Sequence, residues 1–203
     1  MNAPLKIGFL ASGAGSSAEA IVAAIKAGEL SAEPRLMVSN NKGAAALDWA
    51  RDAGLPVICI PTQADPDAAD AKLADELVKH GVELLVLSGY LRRLGPTTLG
   101  RYAGRVLNIH PGPLPEFGGH GMYGRRVHEA VLAAGAPESG VCIHVVDGEY
   151  DRGPVIARRT VPVAPSDTPE SLEARVRAQE PGFFVETLRR VAEGELQLPV
   201  QSA

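Results

Sequence analysis

Asn108 and His110 stand one residue apart in the run Arg105-Val-Leu-Asn-Ile-His110, which ends at Pro111. In extended backbone residues i and i+2 share a face, so an amide and an imidazole project together while Ile109 points the other way. Pro111 keeps the residue before it out of the helical region, which holds His110 extended. An amide donor beside a proton carrier suits acyl transfer: the amide binds a developing oxyanion and the imidazole moves protons. A second constellation is Ser12-Gly13-Ala14-Gly15-Ser16-Ser17-Ala18. Gly13-x-Gly15-x-x-Ala18 fits the dinucleotide fingerprint, in which glycines let backbone approach a phosphate at a helix N-terminus. The acidic residue that holds a nicotinamide ribose some ~20 positions later is replaced by Ser39-Asn40-Asn41, so the loop predicts a single phosphate, with Ser16 and Ser17 adding hydroxyl donors. A tight βα turn with a serine cap is the alternative reading of the same residues. A third group, Asp147, Glu149 and Asp151, fails as a calcium loop because its sixth and twelfth positions are Arg152 and Arg158. Asp147 and Glu149 read as turn residues bonding their own backbone. Asp151 enters the chemistry if the fold carries it to His110, where its charge would raise the imidazole pKa.

The other histidines and the cysteines suggest structure. His110, His120 and His128 lack metal-ligand spacing and neither Cys59 nor Cys142 lies in a C-x-x-C, so no metal is expected. His80 reads as a favourable charge at a helix end, His128 beside Glu129 as a surface residue, and His144 as a mid-strand residue that is packed first of all, with a supporting place behind the site as the alternative. Both cysteines fall in apolar stretches, which predicts buried thiols and a reducing, cytoplasmic compartment. No Gly-x-Ser-x-Gly elbow supports a serine hydrolase.

These side chains need a frame. A chain of 203 residues with 45% hydrophobic and 22% charged side chains is globular, and at ~100–200 residues per domain it predicts one domain over 1–203. A net charge of −4 without a basic run argues against nucleic acid as partner, and no apolar stretch reaches the ~18 residues of a membrane span. Short aliphatic runs alternate with helical stretches: Lys6–Ala11 and Ala18–Ala27, Arg35–Ser39 and Ala44–Ala53, Val57–Ile60 and Ala68–His80, then Leu84–Ser88 and Pro96–Tyr102. That rhythm predicts an α/β, Rossmann-like, doubly wound and mostly parallel sheet, whose ligands lie beyond the carboxyl ends of its strands. After the strand Arg105–His110 and a helix near Gly124–Ala134, Val141–Val146 and Val155–Val163 leave no room for a helix between them. They are expected as antiparallel strands added in the C-terminal half. One last helix is expected from Thr168 to about Gly194, before a loosely held tail at 196–203.

Taken in order, A-S-G-A-G-S-S after the first strand, S-G-Y-L-R-R-L after the fourth, L-N-I-H-P in the fifth, D-R-G-P at Asp151–Pro154 and R-V-R-A-Q-E ending at Glu180 resemble the glycinamide ribonucleotide formyltransferases, folate-dependent enzymes of purine synthesis. The likeness runs from about Lys6 to Glu195. It implies direct formyl transfer from the co-substrate 10-formyltetrahydrofolate to the glycinamide amine, with a phosphate-binding half over about 1–100 and a catalytic, folate-binding half over about 101–195. By motif, Asn108 would bind the oxyanion and touch the donor, His110 would donate the proton, and Asp151 would tune His110 and relay. Gly15, Ser16 and Ser17 would hold the substrate phosphate with help from Arg177. Glu180 would bond the ribose hydroxyls, and Leu91, Arg92, Arg93 and Leu94 would line the folate pocket. The chain departs from the family loop at Ala14 and Ser17, carries Pro-Gly-Pro-Leu-Pro after His110, and lacks an arginine over Asp65–Ala71. The Gly-rich Phe117–Tyr123 segment reads as a mobile lid. The resemblance implies small-molecule partners and a monomer or homodimer. Other 10-formyltetrahydrofolate-using transferases or hydrolases share the fold, and a nucleotide-binding oxidoreductase or sensor would explain the loop while leaving Asn108 and His110 idle.

Overall fold

Each aliphatic run of the first half is a strand, and each helical stretch between them crosses over to the next. A computed structural model describes residues 3–199. Its strands are β1 (Leu5–Leu10), β2 (Ala32–Ser39), β3 (Val57–Cys59), β4 (Leu84–Leu87), β5 (Val106–His110), β6 (Glu138–Val145) and β7 (Val155–Pro162). The helices are α1 (Ser16–Lys26), α2 (Ala45–Asp52), α3 (Pro66–Lys79), α4 (Pro96–Arg101), α5 (Arg125–Ala133), α6 (Pro169–Arg177) and α7 (Glu180–Ala192).

The sheet runs β3-β2-β1-β4-β5-β6-β7. Strands β1 to β5 pair in parallel, whereas β5 with β6 and β6 with β7 are antiparallel, as the missing crossover helix required. Strand order reverses between β1 and β4, which opens a crevice at their carboxyl ends where open α/β sheets bind ligands. Successive strand residues feed opposite faces: Ile7 and Phe9 enter one core with Val86 and Ile143, while Leu10 enters the other with Leu36, Val38, Leu85 and Leu87. Burial on both faces is why these strands read as unbroken aliphatic runs.

The C-terminal helix corrects one expectation. It is two helices, broken at Ala178 and Gln179. Pro181 has no N–H to give, and its ring clashes with the carbonyl four residues back, at Arg177. The first helix must therefore stop, and Glu180 becomes the opening residue of the second. Thr168 caps α6 in a reciprocal pair with Ser171, in keeping with the T-P-E-S start. Of the tail, Leu198 packs against the larger core. Residues 200–203 lie outside the described residues.

Candidate active site

At the end of β5 the expected face is present, and it is joined by two more side chains. Antiparallel register sets His144 of β6 opposite Asn108, and Cys142 opposite His110. The Asn108 amide lies 3.1 Å from His144 Nε2 through its Nδ2. Asp151, from the turn between β6 and β7, reaches both rings: Oδ2 is 3.5 Å from His110 Nδ1 and Oδ1 is 3.4 Å from His144 Nε2. Four residues from two separate stretches of the sequence thus form one contiguous cluster. The two imidazoles are buried, 3% and 2% exposed, and the Asp151 side chain is 12% exposed.

Local backbone explains how Asp151 gets there. It is the one non-glycine residue with positive φ, 55°, among the described residues, a left-handed conformation that turns its side chain back toward the strands. Two residues later Gly153 passes so close to the Val145 carbonyl that no side chain fits between them. Across the cluster, the Gly119 N–H donates to Asp151 Oδ2 at 3.0 Å, and His110 Nε2–H donates to the Phe117 carbonyl at 2.7 Å. The Gly-rich segment after β5 is therefore bonded to both His110 and Asp151. Gly118 is needed there, because a Cβ would run into Leu114 and stand 3.0 Å from Asp151 Cβ.

Electrostatics in the cluster run partly against the sequence reading. Asp151 does pull the His110 pKa upward, but burial, the larger influence, pushes it down and wins, so His110 sits below the ordinary imidazole value. Burial works against the Asp151 carboxylate too. There the hydrogen bond from His144, the His110 charge and the Gly119 N–H together outweigh it, and Asp151 stays below the usual carboxylate value.

The phosphate loop closes the other side of the crevice. Gly15 caps α1 at φ 67°, and a Cβ on it would stand 3.1 Å from Ala46 Cβ. The first N–H groups of a helix have no intrahelical acceptor. That of Ala18 is taken by the Ser88 hydroxyl at 3.1 Å, while Gly15, Ser16 and Ser17 have no acceptor for theirs among the described residues. Where a nicotinamide fold has its carboxylate, Asn40 instead accepts from Ser12 Oγ at 2.6 Å, and the same hydroxyl accepts from the Leu91 N–H at 2.8 Å. Ser12 so ties the loop after β1 to the loop after β4.

Glu180 comes to the same end. Arg189 of α7 donates to the Glu29 carbonyl just beyond α1, and Gly182 and Val185 flank the same shallow groove as Ala20 and Ala23. The two helices therefore run side by side in one direction, which brings Glu180 to the α1 N-terminus. Burial is the main cause that pushes the Glu180 pKa up to about 7, with Glu173 adding and Arg177 opposing. Arg177 is largely exposed and lies 3.7 Å from Glu173 Oε1.

Between α3 and α4 opens a cavity of about 460 Å³, walled by Leu73, Tyr90, Arg93, Leu94, Leu99 and Gly148 among others. Arg93 donates to the Gly148 carbonyl across its mouth. Gly148 and Asp151 belong to one turn, so the cavity and the cluster share a wall. Of the four residues expected at a folate pocket, Arg93 and Leu94 line this cavity. Leu91 and Arg92 do not: Leu91 is 70% exposed and its part in the described site is the backbone bond to Ser12.

Other residues fall outside their expected places. His128 is fully buried, because Val127, His128 and Val131 share the inward stripe of α5, and neither ring nitrogen has a partner among the described residues. His144, for which packing is the leading reading of the sequence and a place behind the site the alternative, takes the alternative and joins Asn108 to Asp151. Strand alternation put it on a definite face, but only the β5–β6 register says which residue it meets. Cys142 is a buried thiol, whereas Cys59 is partly exposed at the end of the short β3. His80 ends α3, as expected, with Nδ1 2.8 Å from the Glu76 carbonyl. Among the described residues no group of three His, Cys, Asp or Glu is placed to hold a metal ion. No helix among them is long and apolar enough to cross a membrane.

Known proteins resemble the chain over nearly its whole length. A family model described as formyl transferase matches residues 5–188. The chain is 37% identical over 196 residues to the chloroplastic phosphoribosylglycinamide formyltransferase of Arabidopsis thaliana, covering 95% of this chain and 67% of that one. Against the Escherichia coli K12 phosphoribosylglycinamide formyltransferase it is 34% identical over 201 residues, covering 98% of this chain and 92% of the other. It therefore spans about two thirds of the length of the plant proteins it matches, and nearly all of the bacterial one. Glycinamide ribonucleotide transformylase 1 from Symbiobacterium toebii superposes with a TM-score of 0.88 at 32% identity, over 98% of this chain and 92% of its own. The chain belongs to the formyl transferase family, among its phosphoribosylglycinamide formyltransferases.

Proposed function

We propose that this chain transfers the formyl group of 10-formyltetrahydrofolate directly to the amine of glycinamide ribonucleotide, with Asn108, His110 and Asp151 acting as one unit. The observation that carries the reading is the buried cluster at the end of β5, which shares its Asp151 turn with a 460 Å³ cavity and lies, like the free N–H groups of α1, at the carboxyl edge of the parallel strands. The cavity suits a flat, partly apolar donor held by Arg93 and Leu94, with Leu91 and Arg92 at its rim, and Asn108, beyond the cavity's own lining, would meet the donor at its formyl group. Gly15, Ser16 and Ser17 suit the substrate phosphate, because unpaired backbone donors at a helix start attract an anion. Glu180 is placed to accept from the ribose hydroxyls, and Arg177 stands beside it as a cation near the phosphate.

In the reaction the amine nitrogen attacks the formyl carbon and the formyl oxygen becomes negative. Asn108 donates to that oxygen. His110 begins neutral, since burial disfavours its cation, with Nε2–H spent on Phe117 and Nδ1 open toward Asp151. It takes the proton that the amine loses and hands it to the folate nitrogen as the carbon–nitrogen bond breaks, while Asp151 stabilises the cation in between. One C–N bond forms, one breaks, and the proton count closes. The partners are small molecules, and we place the enzyme in the cytoplasm as a monomer or homodimer.

The test follows the absorbance of the folate in a mixture of protein and 10-formyltetrahydrofolate. Tetrahydrofolate should form only when glycinamide ribonucleotide is added. Release without it would make the chain a hydrolase, and no release in either case would overturn the reading.

A further inference from the structure

We infer that Trp49 is a positioning residue for the phosphate loop: its indole N–H holds the Ala14 carbonyl toward α2, so that the Gly15 N–H points away from α2 and stays free for the phosphate. The inference rests on the formyl-transfer reading, which sets the substrate phosphate at Gly15, Ser16 and Ser17, and adds a residue that acts through the loop's backbone.

A loop of small residues cannot fix its own peptides. Gly13-Ala14-Gly15 carries no polar side chain, and glycine takes either sign of φ, so the peptide between Ala14 and Gly15 can turn over at little steric cost. For an anion such a turn decides between attraction and repulsion. A peptide is planar and trans, so its C=O and N–H point opposite ways, and a unit that offers a donor in one orientation offers an acceptor in the other. To hold the Ala14 carbonyl is therefore to aim the Gly15 N–H.

The segment after β2 supplies the donors. Asn41 Nδ2 donates to the Ser12 carbonyl at 3.4 Å, the Ala46 N–H to the Gly13 carbonyl at 3.0 Å, and Trp49 Nε1–H to the Ala14 carbonyl at 2.8 Å. Ala46 and Trp49, three residues apart, are neighbours on α2, and the Ala46 N–H is one of the donors that helix leaves open at its start. The ring also lies against the loop, since a Cβ on Gly15 would stand 3.6 Å from Trp49 Cζ2, and it is anchored by packing on the larger core. Of the three bonds the indole's is the shortest, and it acts on the peptide whose N–H belongs to Gly15. Phosphate should in turn strengthen it. A peptide that donates to an anion at its N–H becomes a better acceptor at its oxygen, so the two bonds reinforce each other.

Trp49 is the chain's one tryptophan, which makes the bond visible without any substitution. In nitrogen-15 NMR of the parent protein, ribose 5-phosphate should move the single indole N–H proton downfield in step with the Gly15 amide. One signal moving without the other overturns the inference alone; if neither moves, the phosphate binds elsewhere, and the inference falls together with the phosphate site. Kinetics at pH 8, where an ordinary imidazole is uncharged, then separate donor from ring. A histidine at 49 can set its Nε2–H where the indole N–H stands, while a phenylalanine keeps a six-membered ring and has no donor. KM for glycinamide ribonucleotide should be about threefold to tenfold higher in Trp49→Phe than in Trp49→His, about what one hydrogen bond contributes. Between the two variants kcat and KM for 10-formyltetrahydrofolate should agree within about twofold, because the loop grips one substrate only. Equal KM for the ribonucleotide, or a lower one in Trp49→Phe, would make ring packing the cause and overturn the inference. A parent that transfers no formyl group would sink the formyl-transfer reading, while the titration would still answer for Trp49.

Discussion

The crevice has two banks built by opposite means. On the parallel side, β1 and α1 offer a substrate their backbone: Gly15 in a left-handed cap, N–H groups without acceptors, and small side chains that stay out of the way. On the antiparallel side, β5, β6 and the turn after β6 offer side chains, four of them wired to one another and two of them almost wholly buried. A helix N-terminus is an anion site by virtue of its fold, since its donors exist whatever the sequence. The cluster around Asp151 depends on register, on one strained φ and on burial that displaces pKa values. Binding on one bank and chemistry on the other should therefore respond to substitution in different kinetic constants.

The largest effect is expected on the antiparallel bank. Asn108→Ala, His110→Ala and Asp151→Asn should each lower kcat by about 10²–10⁴, the range for losing an oxyanion donor or an acid–base group. Because the three act on one transition state, a double variant should lose much less than the product of the singles. KM for glycinamide ribonucleotide should hardly move, since its phosphate is gripped elsewhere. Steady-state kinetics on the set checks this, and near-normal turnover by His110→Ala would remove the mechanism while leaving the fold untouched.

The parallel bank should show the reverse. Gly15→Asp sets a carboxylate among the donors meant for phosphate, and at about 1.5–3 kcal/mol for hydrogen bonds to a charged group KM for the ribonucleotide should rise about 10–100-fold with kcat within a few-fold. The left-handed φ of 67° strains any side chain there, so Gly15→Asn, which shares the strain without the charge, is the control. If the two variants raise KM equally, strain is the cause and the phosphate binds elsewhere.

The same contrast governs what could be read before the structure. The parallel half announces itself in aliphatic runs and a glycine loop, because two-faced burial and a tight turn impose local rules on sequence. Asn108 and His110 were legible for the same reason: a two-residue period and a following proline fix a shared face locally. His144 and Asp151 obey no local rule. Their meeting with β5 depends on how antiparallel strands slide into register, and a slip of one residue would send His144 to the other face. The direction of the His110 pKa was misread because the attraction of Asp151 is visible in residue types and the opposing burial is not. Glu180 entered through resemblance alone. The break that creates its position was written in Pro181, yet a helix-favouring stretch on both sides hid it.

Glu180 sharpens the comparison most finely, because it is a side chain serving the bank that otherwise binds through backbone. Burial raises its pKa from the ordinary 4.5 to about 7. A raised carboxyl pKa means that the folded protein holds a proton the unfolded chain releases, so stability falls as pH climbs through the window from about 4.5 to about 7 and is not recovered above it. Glu180→Gln should remove that loss: its Tm should match the parent near pH 4.5 and exceed it at pH 8. Substrate binding should move the other way. Ribose hydroxyls donate, and the ionised carboxylate accepts from them better than the neutral acid, so KM for the ribonucleotide in the parent should rise as pH falls through about 7. In Glu180→Gln that dependence should vanish, at the cost of a KM about threefold to tenfold higher at pH 8, the worth of roughly one hydrogen bond. The substrate has titrating groups of its own, so the quantity to read is the difference between the two pH profiles. If the profiles run parallel, Glu180 does not touch the ribose, and the parallel bank binds through backbone alone.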